Sequence, residues 1–325
     1  MNKIFKYFTC LGLALFFISG SVFAEDSSVT RISSSNRYTT SVAVSENFFN
    51  NSNDVVIASG ENFSDALFGG RFAAELNSPL FLSTKDTLDS KVLDEIGRLN
   101  VKNIYILGGE NSISSEIENS LKRNNFNVKR ISGKDRIETA YKINTESFNI
   151  RNLIAIGDSY SVVNSHNFAD ALAAAPFVYQ YSYKSNFLSF FPYKGNDDNV
   201  AKMSYIIFGG TSSIPKQAEE KNRLAGSDRY KTAVEIAKAY KSMLNKDIDT
   251  IVLTSGEDFP DALCAGPLAA KNNAAVLLTN SNHLNKDTKE YIQSNKNIKK
   301  AIIVGGENSV SEAVEKELNE IIEVQ

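Results

Sequence analysis

Short runs of apolar residues alternate along the chain with longer segments whose apolar positions recur at a helical period. Strands that are apolar along their whole length are typical of a parallel sheet covered on both faces. The pattern therefore predicts an α/β unit, a small and mostly parallel sheet flanked by helices, and Asn36 is placed to cap its first helix. The predicted elements in the first part of the chain are helix 36–49, strand 54–58, helix 64–76, strand 80–82, helix 88–99, strand 103–107 and helix 114–123.

Three sequence motifs recur in the same order along the chain. The first reads RISSSNRYTT, RISGKDRIET or RLAGSDRYKT, the second contains Phe-x-Asp-Ala-Leu, and the third ends an apolar strand with Gly-Gly. A period of about 95 residues is longer than that of solenoid repeats and close to the size of a small domain. The sequence therefore predicts three similar modules, which we number in chain order: residues 25–128, 129–221 and 222–325.

The middle module diverges from the other two. Residues 159–165 are interpreted as an insertion before its second motif, and a helix of the outer modules is expected to have shrunk to a loop around residues 195–198. We therefore expect module 2 to keep the α/β plan with fewer helices.

The N-terminus predicts an exported protein. Two lysines precede an apolar run and residues 22–24 offer a cleavage site, so residues 1–24 are interpreted as a signal peptide. The run is too short to span a bilayer, and no later segment approaches the roughly 20 apolar residues that a spanning helix needs. Cleavage would leave Cys264 as the one cysteine, so no internal disulfide is expected.

The composition disfavours several classes of function. The full chain has a net charge of −3, and removing the signal peptide would leave 33 basic and 38 acidic side chains. Nucleic-acid binding needs a basic face, so a nucleic-acid partner is not expected. The motifs of serine hydrolases, zinc proteases and P-loop proteins are missing from the sequence. We therefore predict neither an enzyme, nor a metal site, nor a cofactor.

Three aspartates, Asp65, Asp170 and Asp261, recur in the second motif, each in the first turn of a predicted helix. A carboxylate there meets unpaired amides and the positive end of the helix dipole. Catalysis would require a second acid, a histidine or a nucleophile that repeats with them, and only an arginine of the first motif does so. A structural role is therefore favoured.

That arginine is Arg37, Arg136 or Arg229, directly after the residue expected to cap a helix. It could form a bidentate pair with an aspartate of its own or of a neighbouring module. It could instead contact a ligand, and both interpretations remain open from the sequence.

The glycine pairs of the third motif allow two interpretations. Glycine lets a backbone approach a phosphate at a helix start. A tight turn between strand and helix also needs glycine, and good helix-start residues follow each pair, which favours the turn. The pairs are Gly108 and Gly109, Gly209 and Gly210, and Gly305 and Gly306.

Together these motifs resemble the type-2 cell-wall-binding repeat of Gram-positive surface proteins, especially clostridial proteins associated with the S-layer. The resemblance covers about residues 31–325. It implies a noncovalent anchor at the cell surface for an anionic secondary cell-wall polysaccharide, with S-layer proteins as further partners. It also implies three Toprim-like modules packed as a pseudo-trimer within one monomer. Because the repeats occupy the chain, no separate effector domain is expected.

The resemblance also implies polymer binding by a Pro-Ile-Leu-Leu strand motif. Its counterparts are Pro79, Leu80, Phe81 and Leu82 in module 1 and, less closely, Leu277 and Leu278 in module 3; residues 186–189 of module 2 lack the proline. Judged by their apolar character alone, these segments are core strands.

Two other classes of function stay open. One is a secreted wall-lytic hydrolase that uses Asp65 and its equivalents, and the other is a receptor for a small molecule or nucleotide, suggested by the glycine pairs. The binding function is favoured, because three weak sites presented to a repeating polymer gain avidity together.

Overall fold

The computed structural model describes residues 28–151, 160–184, 188–193, 195, 204–216 and 220–324. The predicted signal peptide lies outside these residues, as does the predicted loop around residues 195–198 apart from Gly195. Within the described residues, no helix combines the length and the apolar character needed to cross a membrane.

Twelve strands lie within the described residues: β1 (Val29–Ile32), β2 (Asp54–Ser59), β3 (Leu80–Ser83), β4 (Asn103–Leu107), β5 (Asn127–Ile131), β6 (Tyr160–Asn164), β7 (Ser189–Tyr193), β8 (Ser204–Phe208), β9 (Asn222–Leu224), β10 (Thr250–Ser255), β11 (Ala275–Thr279) and β12 (Lys300–Val304). The helices described between them are α1 (Arg37–Phe48), α2 (Phe63–Glu75), α3 (Ser90–Arg98), α4 (Ser115–Arg123), α5 (Arg136–Ile150), α6 (Phe168–Lys184), α7 (Arg229–Leu244), α8 (Ala265–Lys271), α9 (Lys286–Ser294) and α10 (Glu312–Glu323). A short 3₁₀ helix, Asp261–Cys264, leads into α8.

The strands form three four-stranded sheets in which every pairing is parallel. Their orders are β3-β2-β4-β5 in sheet 1, β7-β6-β8-β9 in sheet 2 and β11-β10-β12-β1 in sheet 3. This confirms the predicted fold class of three α/β modules. Every element predicted for module 1 is present, with its ends within about two residues, the usual uncertainty of helix boundaries.

The first helix of each module begins where the capping residues require. Asn36 Oδ1 accepts hydrogen bonds of 3.0 Å from the amides of Tyr38 and Thr39. Asp135 and Asp228 cap α5 and α7 by the same kind of bond. A side-chain oxygen at this position satisfies amides that have no partner inside the helix. The repeated Asn or Asp of the first motif therefore fixes three helix starts.

The predicted insertion at residues 159–165 is wrong, because residues 160–164 form β6. This strand pairs with both β7 and β8 and is therefore central in sheet 2. Its buried residues, including Val162 and Val163, take the place that β2 occupies in sheet 1.

The fourth strand of each sheet comes from the segment that opens the next repeat. β5 contains Arg130 and Ile131 of the second copy of the first motif, yet it pairs with β4 of sheet 1. β9 likewise pairs with β8 of sheet 2, although its residues open the third repeat. The predicted boundary between residues 128 and 129 thus falls inside β5, and the sheets do not coincide with the sequence repeats.

Strand pairing of the same kind, between the first and third repeats, closes the three modules into a ring. β1, near the N-terminal end of the described chain, pairs with β12 of sheet 3, with Val29 opposite Ala301 and Ile32 opposite Val304. Arg31 reinforces the closure, since its guanidinium contacts Glu315 at 2.8 Å and donates to the Gly305 carbonyl at 2.8 Å. Every sheet therefore contains strands from two repeats.

Helices α2, α6 and α8 pack against one another at the centre of the ring. At their N-terminal ends the rings of Phe63, Phe168 and Phe259 form a triangle with centroid distances of 5.3–6.2 Å. Aromatic pairs at such distances and tilted angles add to the stability gained from burial. The modules are thus packed as a pseudo-trimer around a shared apolar core.

We expect Arg31→Gln to destabilise the ring closure. The variant loses an ion pair and a charged hydrogen bond at a partly buried site, which should lower the free energy of unfolding by roughly 1–3 kcal/mol. Urea denaturation measures the loss, and hydrogen exchange of residues 301–304 locates it. Lys286→Gln is the control, because Lys286 is 86% exposed in its ion pair with Glu290 and such pairs contribute little. Equal stability of the two variants would contradict this account.

Candidate functional site

The three repeated aspartates each face the glycine pair of their own module. Gly108, Gly209 and Gly305 have φ values of +98°, +113° and +127°, which favour glycine. A Cβ added to Gly108 would clash with the Asp65 carboxylate, and one added to Gly209 would lie 2.7 Å from Asp170 Oδ2. The first glycine of each pair is therefore required by its conformation, and in modules 1 and 2 also by the carboxylate packed on it.

A serine four residues after that glycine also recurs, as Ser112, Ser213 and Ser309. Ser309 Oγ donates a 3.1 Å hydrogen bond to Asp261 Oδ2, and Ser112 hydrogen bonds to Asp65. These serines were not among the residues predicted from the sequence, although the repeated spacing Gly-Gly-x-x-Ser reveals them. In modules 1 and 3 the serine thus fixes the carboxylate relative to the turn.

The opening arginine of the first motif holds the same turn from the other side. Arg130 donates to the Gly108 carbonyl at 2.9 Å, and Arg223 donates to the Gly209 carbonyl at 2.8 Å. Arg31 does the same for Gly305. Each of these arginines lies on a borrowed strand, which is the strand (β5, β9 or β1) that a repeat contributes to the sheet of a neighbouring repeat. The arginine therefore joins the start of its own repeat to the third motif of the neighbouring repeat. The sequence analysis did not assign this role.

The arginines predicted as site residues bind backbone carbonyls at the start of the second motif. Arg37 donates to Gly60 O at 2.6 Å, Arg136 donates to Ser165 O at 3.3 Å, and Arg229 donates to Gly256 O. From the sequence, these arginines could either pair directly with a repeated aspartate or contact a ligand. Among the described residues, none of the three forms a direct ion pair with a repeated aspartate.

Two of these arginines nevertheless lie close enough to an aspartate to act on it electrostatically. Burial raises the pKa of both aspartates, and the positive charge of Arg136 opposes that rise at Asp65 as the charge of Arg229 does at Asp170. In both cases the aspartate belongs to the preceding module. The second motif of one module and the first motif of the next therefore meet at the boundary between modules.

A cavity of about 560 Å³ lies at the boundary between modules 1 and 2. Module 1 lines it with Asn62, Ser64 and Asp65 of its second motif and residues 109–112 of its third. Module 2 lines it with residues 133–136 and Thr139 of its first motif. All three repeated motifs thus converge on one cleft. Its charged side chains are Asp65, Glu110, Lys134, Asp135 and Arg136.

Burial raises the pKa of two of the repeated aspartates. Desolvation raises the pKa of Asp65 and of Asp170 from 3.8 to about 6, against the opposing effect of the arginines. Asp170 is 4% exposed, whereas Asp65 is half-buried. The effect of desolvation on folding should therefore be larger at Asp170.

The apolar strand motif lies in the core. Leu80, Phe81 and Leu82 of β3 are at most 2% exposed, and Pro79 before them is buried. Leu277 and Leu278 of β11 are fully buried. These side chains pack inside sheets 1 and 3, so they can contact a polymer only if the fold opens.

The described residues offer no cluster of three metal-ligating side chains of the histidine, cysteine, aspartate or glutamate type. The polar groups of the cleft are hydroxyls, amides, carboxylates and two cationic side chains. Such groups suit hydrogen bonding to a hydroxylated and charged ligand.

We expect Gly108→Ala to destabilise the protein and Gly109→Ala to leave it nearly unchanged. The first change places a Cβ at positive φ against the Asp65 carboxylate, at a cost of about 1–3 kcal/mol from the backbone alone. The second places a Cβ where no atom lies within 4 Å. Denaturant unfolding of the two variants tests this, and equal loss in both would contradict the assigned role of the turn.

We expect Asp65→Asn/Asp170→Asn to remove a pH dependence of stability. A folded pKa of about 6, above the ordinary 3.8, means that these groups favour folding below pH 3.8 and lose that contribution as the pH rises through 6. The loss is up to about 3 kcal/mol at Asp170 and smaller at Asp65. Urea unfolding between pH 4 and 7.5 measures it, with exposed Asp94→Asn as the control. Parallel pH curves for wild type and the double variant would refute the assignment.

Three known proteins are similar to the chain over much of its length. An N-acetylmuramoyl-L-alanine amidase, LytC, from Bacillus subtilis (strain 168) is 28% identical over 98% of this chain and 63% of its own length. The amidase enhancer of the same organism is 32% identical over 89% of this chain and 40% of its own. The chain thus spans less than two thirds of either relative. The solved structure of Cwp8 from Clostridium difficile superposes with a TM-score of 0.77 at 26% identity, over 92% of this chain and 52% of that one.

A second solved structure, Cwp6 from Clostridium difficile, shares the fold with a TM-score of 0.72 at 21% identity, over 86% of this chain and 46% of that one. The family model of cell wall binding domain 2 matches residues 31–118, 130–219 and 223–315, which is most of the chain. The three matched segments follow the three repeats and indicate association with the cell wall. The chain belongs to the cell wall binding domain 2 family, with three tandem copies of the domain.

Proposed function

We propose that the protein is a noncatalytic anchor that binds an anionic cell-wall polysaccharide in the clefts between its modules. The observation that carries the proposal is the convergence of all three repeated motifs, from two modules, on one cleft. The strand that the second repeat contributes to sheet 1 brings its first motif to this boundary, where side chains of all three motifs line the cleft. Family membership supports the cell wall as the location.

The lining of the cleft between modules 1 and 2 supports a charged saccharide as the ligand. Lys134 is exposed, and Arg136 is half-buried beside Asp65. Asn62, Ser64 and Thr139 add amide and hydroxyl groups. Cationic groups attract carboxylates or phosphates, and the neutral polar groups can bond to sugar hydroxyls. A cleft of about 560 Å³ is also within the range of small-ligand sites.

Three acids line the cleft; Glu110 is exposed to solvent, and the other two oppose an anion less than their charges suggest. Asp135 is engaged in capping α5, where it accepts from the Glu138 amide at 2.8 Å. The raised pKa of Asp65 makes its protonated form accessible near pH 6. Binding of an anion should therefore strengthen as the pH falls toward 6, because the cleft then loses a negative charge.

The boundary between modules 2 and 3 supports a second, equivalent cleft. Arg229 acts on Asp170, and Gly210 lies close to the carbonyl of Gly226 in the first motif of module 3. Helix α1 packs on the 3₁₀ helix that contains Asp261, and this contact supports a third cleft at the ring closure. Three weak sites on one rigid ring would bind a repeating polymer with avidity.

The proposal includes export and a place at the cell surface. It rests on the charged and apolar pattern of residues 1–24 and on the cell-wall family. S-layer proteins remain a proposed class of partner, and the protein is proposed to act as a monomer.

The hydrolase alternative has one observation in its favour. A carboxyl group with a pKa of about 6 resembles a general acid, and Asp65 lies in a cleft. Asp170 has the same pKa and the same packing on glycine. A shared structural position thus explains both shifts without catalysis.

Co-sedimentation with purified cell walls tests the proposal. We expect the wild type to sediment with walls and to lose binding after acid extraction of the secondary polymers. Arg136→Gln/Arg229→Gln should weaken binding by at least about tenfold, since it removes two cationic groups from separate clefts. The control is Arg123→Gln, an exposed arginine at the end of α4, and circular dichroism must show that all variants fold.

Two results would contradict the proposal. One is unchanged wall binding by the folded double variant. The other is release of wall fragments by the wild type that Asp65→Asn abolishes, which would establish the hydrolase instead.

A further inference from the structure

Modules 1 and 3 differ in the groove between their first and third helices. The helices correspond position by position. α1 and α7 begin at the motif arginine, and α3 and α9 are nine residues long and follow a capping residue, Asp89 or Asn285. Residues of the two grooves can therefore be compared one to one.

In module 1 a closed polar network joins the two helices. Ser45 Oγ donates to Glu95, and Arg98 contacts the same carboxylate at 2.6 Å. Arg98 also donates to the carbonyls of Phe49, at 2.6 Å, and Asn50, at 3.4 Å, where α1 ends. The guanidinium thus lies across the groove and meets its acceptors within the protein.

In module 3 each side chain of that network is different. Ser45 corresponds to Ala237, Glu95 to Tyr291, and Arg98 to Ser294. The backbone positions that accept from Arg98 correspond to Lys241 and Ser242. Ser294, the counterpart of Arg98, has no guanidinium to span the groove, and a cavity of about 440 Å³ is lined by all five of these residues.

The lining of this cavity is rich in hydrogen-bond donors. Lys238, Lys241 and Lys246 surround it. Tyr291, 7% exposed, accepts from the Asn295 amide at 3.3 Å. Its own hydroxyl proton has no acceptor among the described residues. The acceptor that Glu95 supplies in module 1 is therefore missing in module 3.

Lys238 and Lys241 can turn toward a ligand at small cost. Lys238 pairs with Glu235 at 2.9 Å and Lys241 with Asp247 at 2.7 Å, and both lysines are at least half exposed. Exposed ion pairs of this kind contribute about 0–1 kcal/mol. Lys246 donates to the side-chain amide of Gln180 in α6. Asp247 is the one acid among the lining residues.

The corresponding groove of module 1 also holds a cavity, but its balance of charge is the opposite one. The cavity of about 400 Å³ between α1 and α3 is lined by Glu46, Asp94 and Glu95, together with Lys91 and Arg98. Its three carboxylates outnumber its two cations, and two of the carboxylates, Glu46 and Asp94, have no ion pair with them among the described residues, whereas three lysines and one acid line the groove of module 3. The donor-rich groove therefore distinguishes module 3 from module 1.

We propose that the groove between α7 and α9 binds an oxyanion, a phosphate or a carboxylate, carried on a molecule about the size of one sugar ring. The excess of three lysines over one acid favours a negative charge on the ligand, the Tyr291 hydroxyl proton favours an oxygen acceptor, and the cavity volume sets the size. Ala237, Ile248 and the Tyr291 ring offer apolar surface to the sugar. The groove is separate from the clefts between modules, so this proposal does not rest on the proposed function.

Calorimetric titration of the full chain tests the site, with glucose 1-phosphate and glucuronate as probes and glucose as the neutral control. We expect saturable binding of at least one anionic probe, millimolar or tighter, and none of glucose. Binding of glucose 1-phosphate alone identifies phosphate as the oxyanion, and binding of glucuronate alone identifies the carboxylate. No saturation by either anion would overturn the proposal.

Variants locate the binding. Tyr291→Phe removes one donor, and Lys241→Gln/Lys246→Gln removes two cations, so each should weaken binding by about tenfold or more. Ala237→Ser/Tyr291→Glu/Ser294→Arg rebuilds the network of module 1 and should abolish binding in a folded protein. Lys286→Gln/Lys316→Gln, two exposed lysines outside the groove, should bind as wild type does. Unchanged binding by Tyr291→Phe and the Lys241/Lys246 variant would also overturn the proposal.

Discussion

The pairing of each sheet with a strand from the next repeat is the constraint on which the rest of the structure depends. A parallel strand contributes backbone hydrogen bonds that its neighbour cannot replace, so sheet 1 is incomplete without β5 and sheet 3 without β1. The repeats are therefore not independent domains joined by linkers. Their relative positions are set by hydrogen bonding within sheets, and the central helices and the phenylalanine triangle then pack in that arrangement.

The contribution of a strand by the next repeat also positions the residues of the candidate site. Arg130 of the borrowed strand β5 donates a hydrogen bond to the Gly108 carbonyl in the turn. The same segment continues into Lys134 and Arg136, which line the cleft. A half-buried carboxylate, Asp65, packs on the glycine and bonds to Ser112. The site is thus positioned by the same contacts that hold the modules together. A variant that disturbs binding should be checked for folding for this reason.

Sequence patterns predicted the strands and helices of module 1 well, because its buried strands are apolar throughout and its helix caps are explicit. They missed the borrowed strands. β5 alternates exposed and partly buried positions, and its partner strand lies in another repeat, so no local pattern reveals the pairing. The insertion predicted at residues 159–165 was wrong, since residues 160–164 form the central strand β6 of sheet 2. The convergence of three motifs on one cleft depends on which modules are neighbours, and the sequence order of the motifs does not contain that information.

The central claim is that a ligand-binding cleft is formed by two repeats together. Hydrogen exchange of the full chain, with and without polysaccharide extracted from the cell wall, tests it most directly. The account predicts that added polymer slows exchange at residues 109–112 and at residues 133–139, on both sides of the boundary between modules 1 and 2. Slowed exchange confined to one side, or no change at either segment while the polymer is bound, would contradict it.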